Sequence, residues 1–65
     1  MRRQAINLSI PAANVRVGDF ITSIDYDYMA RVTRVELLPD GRVELHMGRG
    51  KVVVVAPTKD VGVRR

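Results

Sequence analysis

The sequence predicts an all-β protein, a small barrel of five to six short strands in one domain. Three observations carry this reading. No window keeps apolar residues at i, i+3, i+4 and i+7 for three turns, so amphipathic helices are missing. Val, Ile and Thr run in short alternating stretches, the pattern of half-buried strands. Pro, Gly and Asp recur between those stretches as turn formers. With 65 residues there is space for one core only. Cys is 0, which excludes disulfide staples, Cys-based zinc sites and a thiol nucleophile.

The first strand is expected over Gln4–Ile10, with Ile6, Leu8 and Ile10 facing inward and Pro11 ending it. Residues 1–11 form an N-terminal strand segment, and residues 17–65 the barrel proper. Ala12–Val17 connects the two, with Val15 and Val17 placed to cover a barrel end. The Gly18-Asp19 turn leads into a second strand, Phe20–Ile24. A flat strand there places Phe20, Thr22 and Ile24 on one face, with Phe20 in the core, and Ile21 and Ser23 on the other. Asp25-Tyr26-Asp27 reads as a loop or tight turn.

The third strand, Tyr28–Leu38, is long and changes phase. Ala30 and Val32 share one parity, Val35 and Leu37 the other, so a bulge or bend near Thr33-Arg34 is required. Leu38-Pro39-Asp40-Gly41-Arg42 is the clearest turn in the chain. Pro presets the first turn position, and Gly takes a positive φ in a G1 bulge. Pairing Leu38 with Arg42 sets Leu37 against Val43, Glu36 against Glu44 and Val35 against Leu45. The fourth strand, Arg42–Met47, then points Val43, Leu45 and Met47 inward. Gly48-Arg49-Gly50-Lys51 makes a second hairpin turn. The fifth strand, Lys51–Ala56, holds four valines, one face for the core and one for the N-terminal strand or a partner. A turn at Thr58-Lys59-Asp60, read as 3₁₀-like, precedes a last strand, Val61–Arg64. Such barrels commonly set first and last strands side by side.

Val17-Gly18-Asp19-Phe20-Ile21, and Arg31-Val32-Thr33-Arg34-Val35-Glu36-Leu37-Leu38-Pro39-Asp40-Gly41-Arg42-Val43-Glu44-Leu45, resemble segments of short SH3-like proteins of actinobacteria and their phages. The likeness spans about residues 17–55. It implies an SH3-like barrel and no particular activity. Asp25-Tyr26-Asp27-Tyr28 also echoes the tyrosine box with which SH3 domains cradle polyproline. Trp is 0, so that groove's central aromatic is missing, and a strand and a turn precede the box. Coincidence explains the echo better.

Catalysis has little to work with. Ser9, Ser23, Thr22, Thr33 and Thr58 have no base close in sequence, His46 is the sole His, and no phosphate-loop or HExxH pattern is present. The sequence therefore reads as a non-enzymatic binding module without cofactor. Glu36, Glu44 and His46 share one hairpin face and could in principle ligate a divalent metal. Arg34 and Arg42, diagonal to the glutamates, turn that face into a salt-bridge lattice, so no metal is expected.

Charge supplies the functional expectation. Lys+Arg number 11 against 7 Asp+Glu, giving a net charge of +4 and a pI near 10.4. Nine of the 11 bases are Arg, whose planar fork suits phosphate. Arg2, Arg3, Arg64 and Arg65 would gather if the first and last strands pair. The glycine-flanked tip adds Arg49 and Lys51, and Arg16 is a further candidate. These seven are the expected contacts to the backbone of duplex DNA or structured RNA; with Phe20 in the core, two tyrosines are too few to favour single strands. The alternative is a protein-interaction or assembly accessory protein, of phage origin and acting on a host or virion protein. The small core and the four-valine strand point to a homo-oligomer. No apolar run reaches the ~20 residues of a membrane span, and a cytoplasmic location (the host's, for a phage protein) is expected.

Overall fold

The computed structural model describes residues 6–24 and 26–65, and the backbone alone for residues 26–28. The chain is all-β. Six strands, β1 Asn7–Pro11, β2 Phe20–Ile24, β3 Tyr26–Leu37, β4 Val43–Met47, β5 Lys51–Val55 and β6 Asp60–Arg64, form one antiparallel sheet in the order β1-β6-β2-β3-β4-β5. First and last strands do pair. Among the described residues the sheet is open all the same: β1 and β5 are its two edges, and no ladder joins them. Closure of the expected barrel is therefore not seen, and β1 does not cover β5. No helix among the described residues is long and apolar enough to cross a membrane.

The Leu38–Arg42 hairpin has the register its turn residues dictate. Leu38 N donates to Arg42 O at 2.8 Å and Gly41 N to Leu38 O at 2.9 Å. Gly41 takes φ +91, and Leu37↔Val43, Glu36↔Glu44 and Val35↔Leu45 are the partners. β3 shifts register between Val32 and Arg34, where the phase of its apolar residues changes. Thr33 is the extra residue, and its hydroxyl donates to His46 O at 3.2 Å. Val32 and Val35 thus both reach the core despite opposite parity.

A second irregularity lies in β2. Its register shifts between Ile21 and Ser23 against both neighbours. The sequence puts Ile21 and Ile24 on opposite faces of a flat strand, yet both are buried. Thr22 absorbs the extra step. Phe20 leaves the core and lies half-buried on the outer face. β3 begins at Tyr26, two residues before its expected start. Asp25 and the side chains of residues 26–28, where the tyrosine box falls, lie outside the described residues.

Ile21, Ile24, Val61 and Val63 from β2 and β6 meet Val32, Val43, Leu45 and Met47 from β3 and β4 in one cluster. The bent sheet wraps this core. Ala12 and Val15 plug one side. They sit in and beside a 3₁₀ turn, Ala12–Asn14, which docks through Ala12 N on Lys59 O (2.8 Å) and Ala13 N on Pro57 O (3.0 Å). The expected 3₁₀ turn before the last strand is a simple turn closed by Lys59 N on Ala56 O. Gly48–Gly50 holds the other 3₁₀ turn. Leu8 and Ile10 stand opposite buried Val63 and Val61, on the face the alternation predicts, yet Leu8 (37% exposed) and Ile6 (61%) stay uncovered, and only Ile10 of that set packs on the core. The physical reason is position: β1 is an edge strand extending past the core.

Two glycines are held by different constraints. Gly41 needs its positive φ, and a Cβ there would meet nothing. Gly62 has ordinary φ, but a Cβ would sit 2.5 Å from Ser23 Oγ and 2.8 Å from Thr22 Oγ1. Gly41→Ala is expected to lower unfolding free energy by about 1 kcal/mol through backbone strain. Gly62→Ala costs about 1–3 kcal/mol through crowding. Denaturant melts of the two variants check both values. A Ser23→Ala change should recover part of the Gly62→Ala loss and none of the Gly41→Ala loss.

Candidate functional site

Asp19 anchors a polar arrangement that joins the Arg16–Asp19 turn to Arg65. It follows a turn in which Asp19 N donates to Arg16 O at 3.0 Å. Its carboxylate accepts the Arg16 amide at 2.9 Å and a two-pronged bond from Arg65, Nε to Oδ1 at 3.0 Å and Nη2 to Oδ2 at 2.9 Å. Arg65 Nη2 also donates to Asn14 O at 3.2 Å. Asp19 is only 8% exposed. The Arg65 guanidinium, helped by the Arg16 amide and charge, holds its carboxyl below the usual range, and burial opposes this less strongly than Arg65 favours it. Arg65 is raised in return.

Beside this pair a row of residues crosses four strands. Asn7 faces Arg64, Arg64 faces Phe20, and Phe20 faces Arg31. Direct cross-strand partners share a face. The neighbouring Ile21 and Val63 point into the core, so this row lies on the outer surface. The Arg31 guanidinium carbon stands 5.8 Å from the Phe20 ring centre, close enough for a cation–π contact. Arg31 Nη1 donates to Gly18 O at 2.7 Å, and Arg64 Nε to Asn7 Oδ1 at 3.2 Å. Both are steadied by neutral acceptors, and neither has an acidic partner among the described residues. Gly18, Asp19, Phe20, Arg31, Arg64 and Arg65 line an open groove of about 510 Å³. A second groove of about 380 Å³, running past Asn14 and Arg16, shares Arg65 with the first. Three guanidiniums face one carboxylate in the first groove, and that carboxylate is already paired.

The expected contacts are thus redistributed. Arg64 points into the groove and Arg16 borders the second one. Arg65 is committed to Asp19, since its fork matches a carboxylate nearer than any ligand. Arg49 and Lys51 are exposed on the turn beyond β4, which packs against β3. Arg49 has φ +70, flanked by Gly48 and Gly50. Arg2 and Arg3 lie outside the described residues. Arg31 and Phe20 were not expected at the site. A plain hairpin from Ile24↔Tyr26 and Ser23↔Asp27 would continue to Phe20 opposite Ala30. One extra residue in β3 moves Ala30 to Ile21 and Arg31 to Phe20. That shift falls in a stretch with no sequence signal beyond the depletion of Asp in strands.

The hairpin face of β3 and β4 is different in character. Arg34 bonds Glu36, and Glu44 Oε1 lies 2.6 Å from His46 Nε2. Arg42 turns to Asp40 (2.7 Å) inside the turn rather than to the glutamates, a correction to the diagonal lattice. The Arg42 amide, first, and its guanidinium hold the exposed Asp40 carboxyl below its usual value. Glu36, Glu44 and His46 place a possible ligand atom each within 4.8 Å of one another. Arg34 on Glu36 and His46 on Glu44 already occupy both carboxylates.

Asp19 pairing makes a pH signature. Its folded-state pKa lies below its unpaired value of 3.8, so its stabilisation is present above that value and is lost as the pH falls through the folded one. Asp19→Ala is expected to cost about 1–3 kcal/mol at pH 7. Melts between neutral pH and pH 2 check this: the unaltered chain loses stability below about pH 4, and the gap to Asp19→Ala narrows there.

In comparison with known proteins, the chain matches no family model, no curated protein and no solved structure.

Proposed function

We propose that this chain is a non-catalytic module that binds a nucleic-acid backbone through its arginine face, with little dependence on sequence. The observation that carries the reading is the outer row in which Arg64 and Arg31 flank Phe20, each steadied by a neutral acceptor. Guanidiniums held in place and not cancelled by carboxylates are what a phosphate needs. The net charge of +4 supports the same reading. Arg16 extends the surface along the second groove. Arg49 and Lys51 extend it on the far side of β3, and Arg2 and Arg3, outside the described residues, complete the set of proposed contacts. Arg65 acts indirectly, by holding the Arg16–Asp19 turn against the end of β6.

The reading also takes the bent sheet as an SH3-like barrel with its seam open. Support comes from the pairing of first and last strands, the β2-β3-β4-β5 meander and the bend within β3.

A second reading rests on another observation. β5 is an edge strand whose outer face exposes Val52 (47%) and Val54 (39%). A second copy pairing along that edge would make a homodimer by strand addition.

Two measurements separate the readings. Affinity for nucleic acid should fall with salt, at about 0.7 (single strand) to 0.9 (duplex) log units per phosphate contacted. Changing Arg31 and Arg64 together to Ala should flatten that slope by about 1.4–1.8 and weaken all sequences alike. No binding at low salt overturns the reading. Sedimentation from micromolar upward should give twice the mass of one chain if β5 pairs with its twin, and the mass of one chain if it does not.

A further inference from the structure

The groove holds an aromatic ring as well as charge, and the ring decides which form of nucleic acid fits. Resting on the backbone-binding reading above, we infer that the chain takes single strands: one base lies on the Arg31–Phe20 platform, Arg64 holds an adjoining phosphate, and the strand continues past Arg65 towards Arg16.

Phe20 lies half-buried between two arginines, in a groove of about 510 Å³, a size that holds small organic ligands elsewhere. In a duplex the bases show their edges in the grooves and keep their faces stacked on one another. A recessed ring flanked by arginines gains nothing from such an edge. An unstacked base offers its face, and aromatic rings and guanidinium planes are the surfaces on which such bases stack. The Arg31 guanidinium lies over the Phe20 ring, its carbon 5.8 Å from the ring centre, so the two stack and the guanidinium plane, backed by the ring, is the surface a base meets.

The platform is also set before a ligand arrives. Gly18 O holds Arg31 at 2.7 Å and Asn7 Oδ1 holds Arg64 at 3.2 Å. Side chains already ordered lose little entropy on binding. Arg65 lines both grooves, which makes a path from the platform to Arg16. The one acidic residue on that path, Asp19, has its two carboxylate oxygens engaged by Arg65 and the Arg16 amide.

The test compares three ligands of equal phosphate count on the unaltered chain at low salt: an oligothymidylate of about ten nucleotides, an abasic strand of that length and a duplex. The intact strand should bind roughly tenfold or more tighter than the abasic one, and tighter than the duplex. The chain has no Trp, so Phe20→Trp supplies a lone reporter whose emission the intact strand should quench and the abasic strand should not. Phe20→Leu, checked for an unchanged melt, should erase the difference between intact and abasic strands. Equal binding of intact and abasic strands, or tighter binding of the duplex, overturns the stacking inference and leaves backbone binding standing. Failure of all three to bind overturns both.

Discussion

A twelve-residue strand that must serve two halves of a sheet cannot keep one phase along its length. β3 pairs with β2 through its first part and with β4 through its second, and the core lies inside the bend. In a flat strand, Val32 and Val35 would point to opposite faces, and one half of the core would face water. The extra residue at Thr33 resolves this, and its hydroxyl takes up a carbonyl of β4 at the irregular step. That bend is what brings Leu45 and Met47 into one cluster with Val61 and Val63. The extra residue earlier in β3 does for the outer surface what Thr33 does for the core. It selects which side chain stands across from Phe20.

How far the sequence could be read follows from where these steps are encoded. The Leu38–Arg42 hairpin is local: Pro39, Asp40 and Gly41 specify a turn, the turn specifies a register, and the valines and leucines agree with it. The Thr33 step was legible because apolar residues change parity there. At the step between Ile21 and Ser23 the parity change is ambiguous, because Phe20 and Ile24 share a face in a flat strand and make Ile21 the odd residue out. Phe20 was therefore assigned to the core, and Arg31 was not seen as its neighbour. The Asp19–Arg65 bond joins positions 46 residues apart, and no local pattern announces a pair at that separation. Alternation placed Ile6 and Leu8 inward, but alternation gives only the relative phase along a strand. It does not say how far the strand runs past the core.

Charge is unevenly spent across the molecule. On the β3–β4 hairpin Arg34, Arg42 and His46 each have an acidic partner within two residues, so that face is close to self-compensated. On the β6–β2–β3 face Arg31 and Arg64 are held by a carbonyl and an amide. Two surfaces of similar composition thus differ in field. The difference arises from pairing, and the residue count alone does not reveal it.

The open seam has a consequence for the life of the chain before and after folding. β5 reads Lys51-Val52-Val53-Val54-Val55, four β-branched residues behind one charge, and its outer hydrogen-bonding groups meet no strand among the described residues. Proline at 57 stops the run but lies outside it. β6 follows this segment in the chain, and β6 does not pair with it. Among the described residues its inner edge is covered by β4, and Lys51 is the one charge on the strand to discourage pairing along the outer edge. Resistance to edge-to-edge association is therefore set at the strand edges, whereas thermodynamic stability is set in the core.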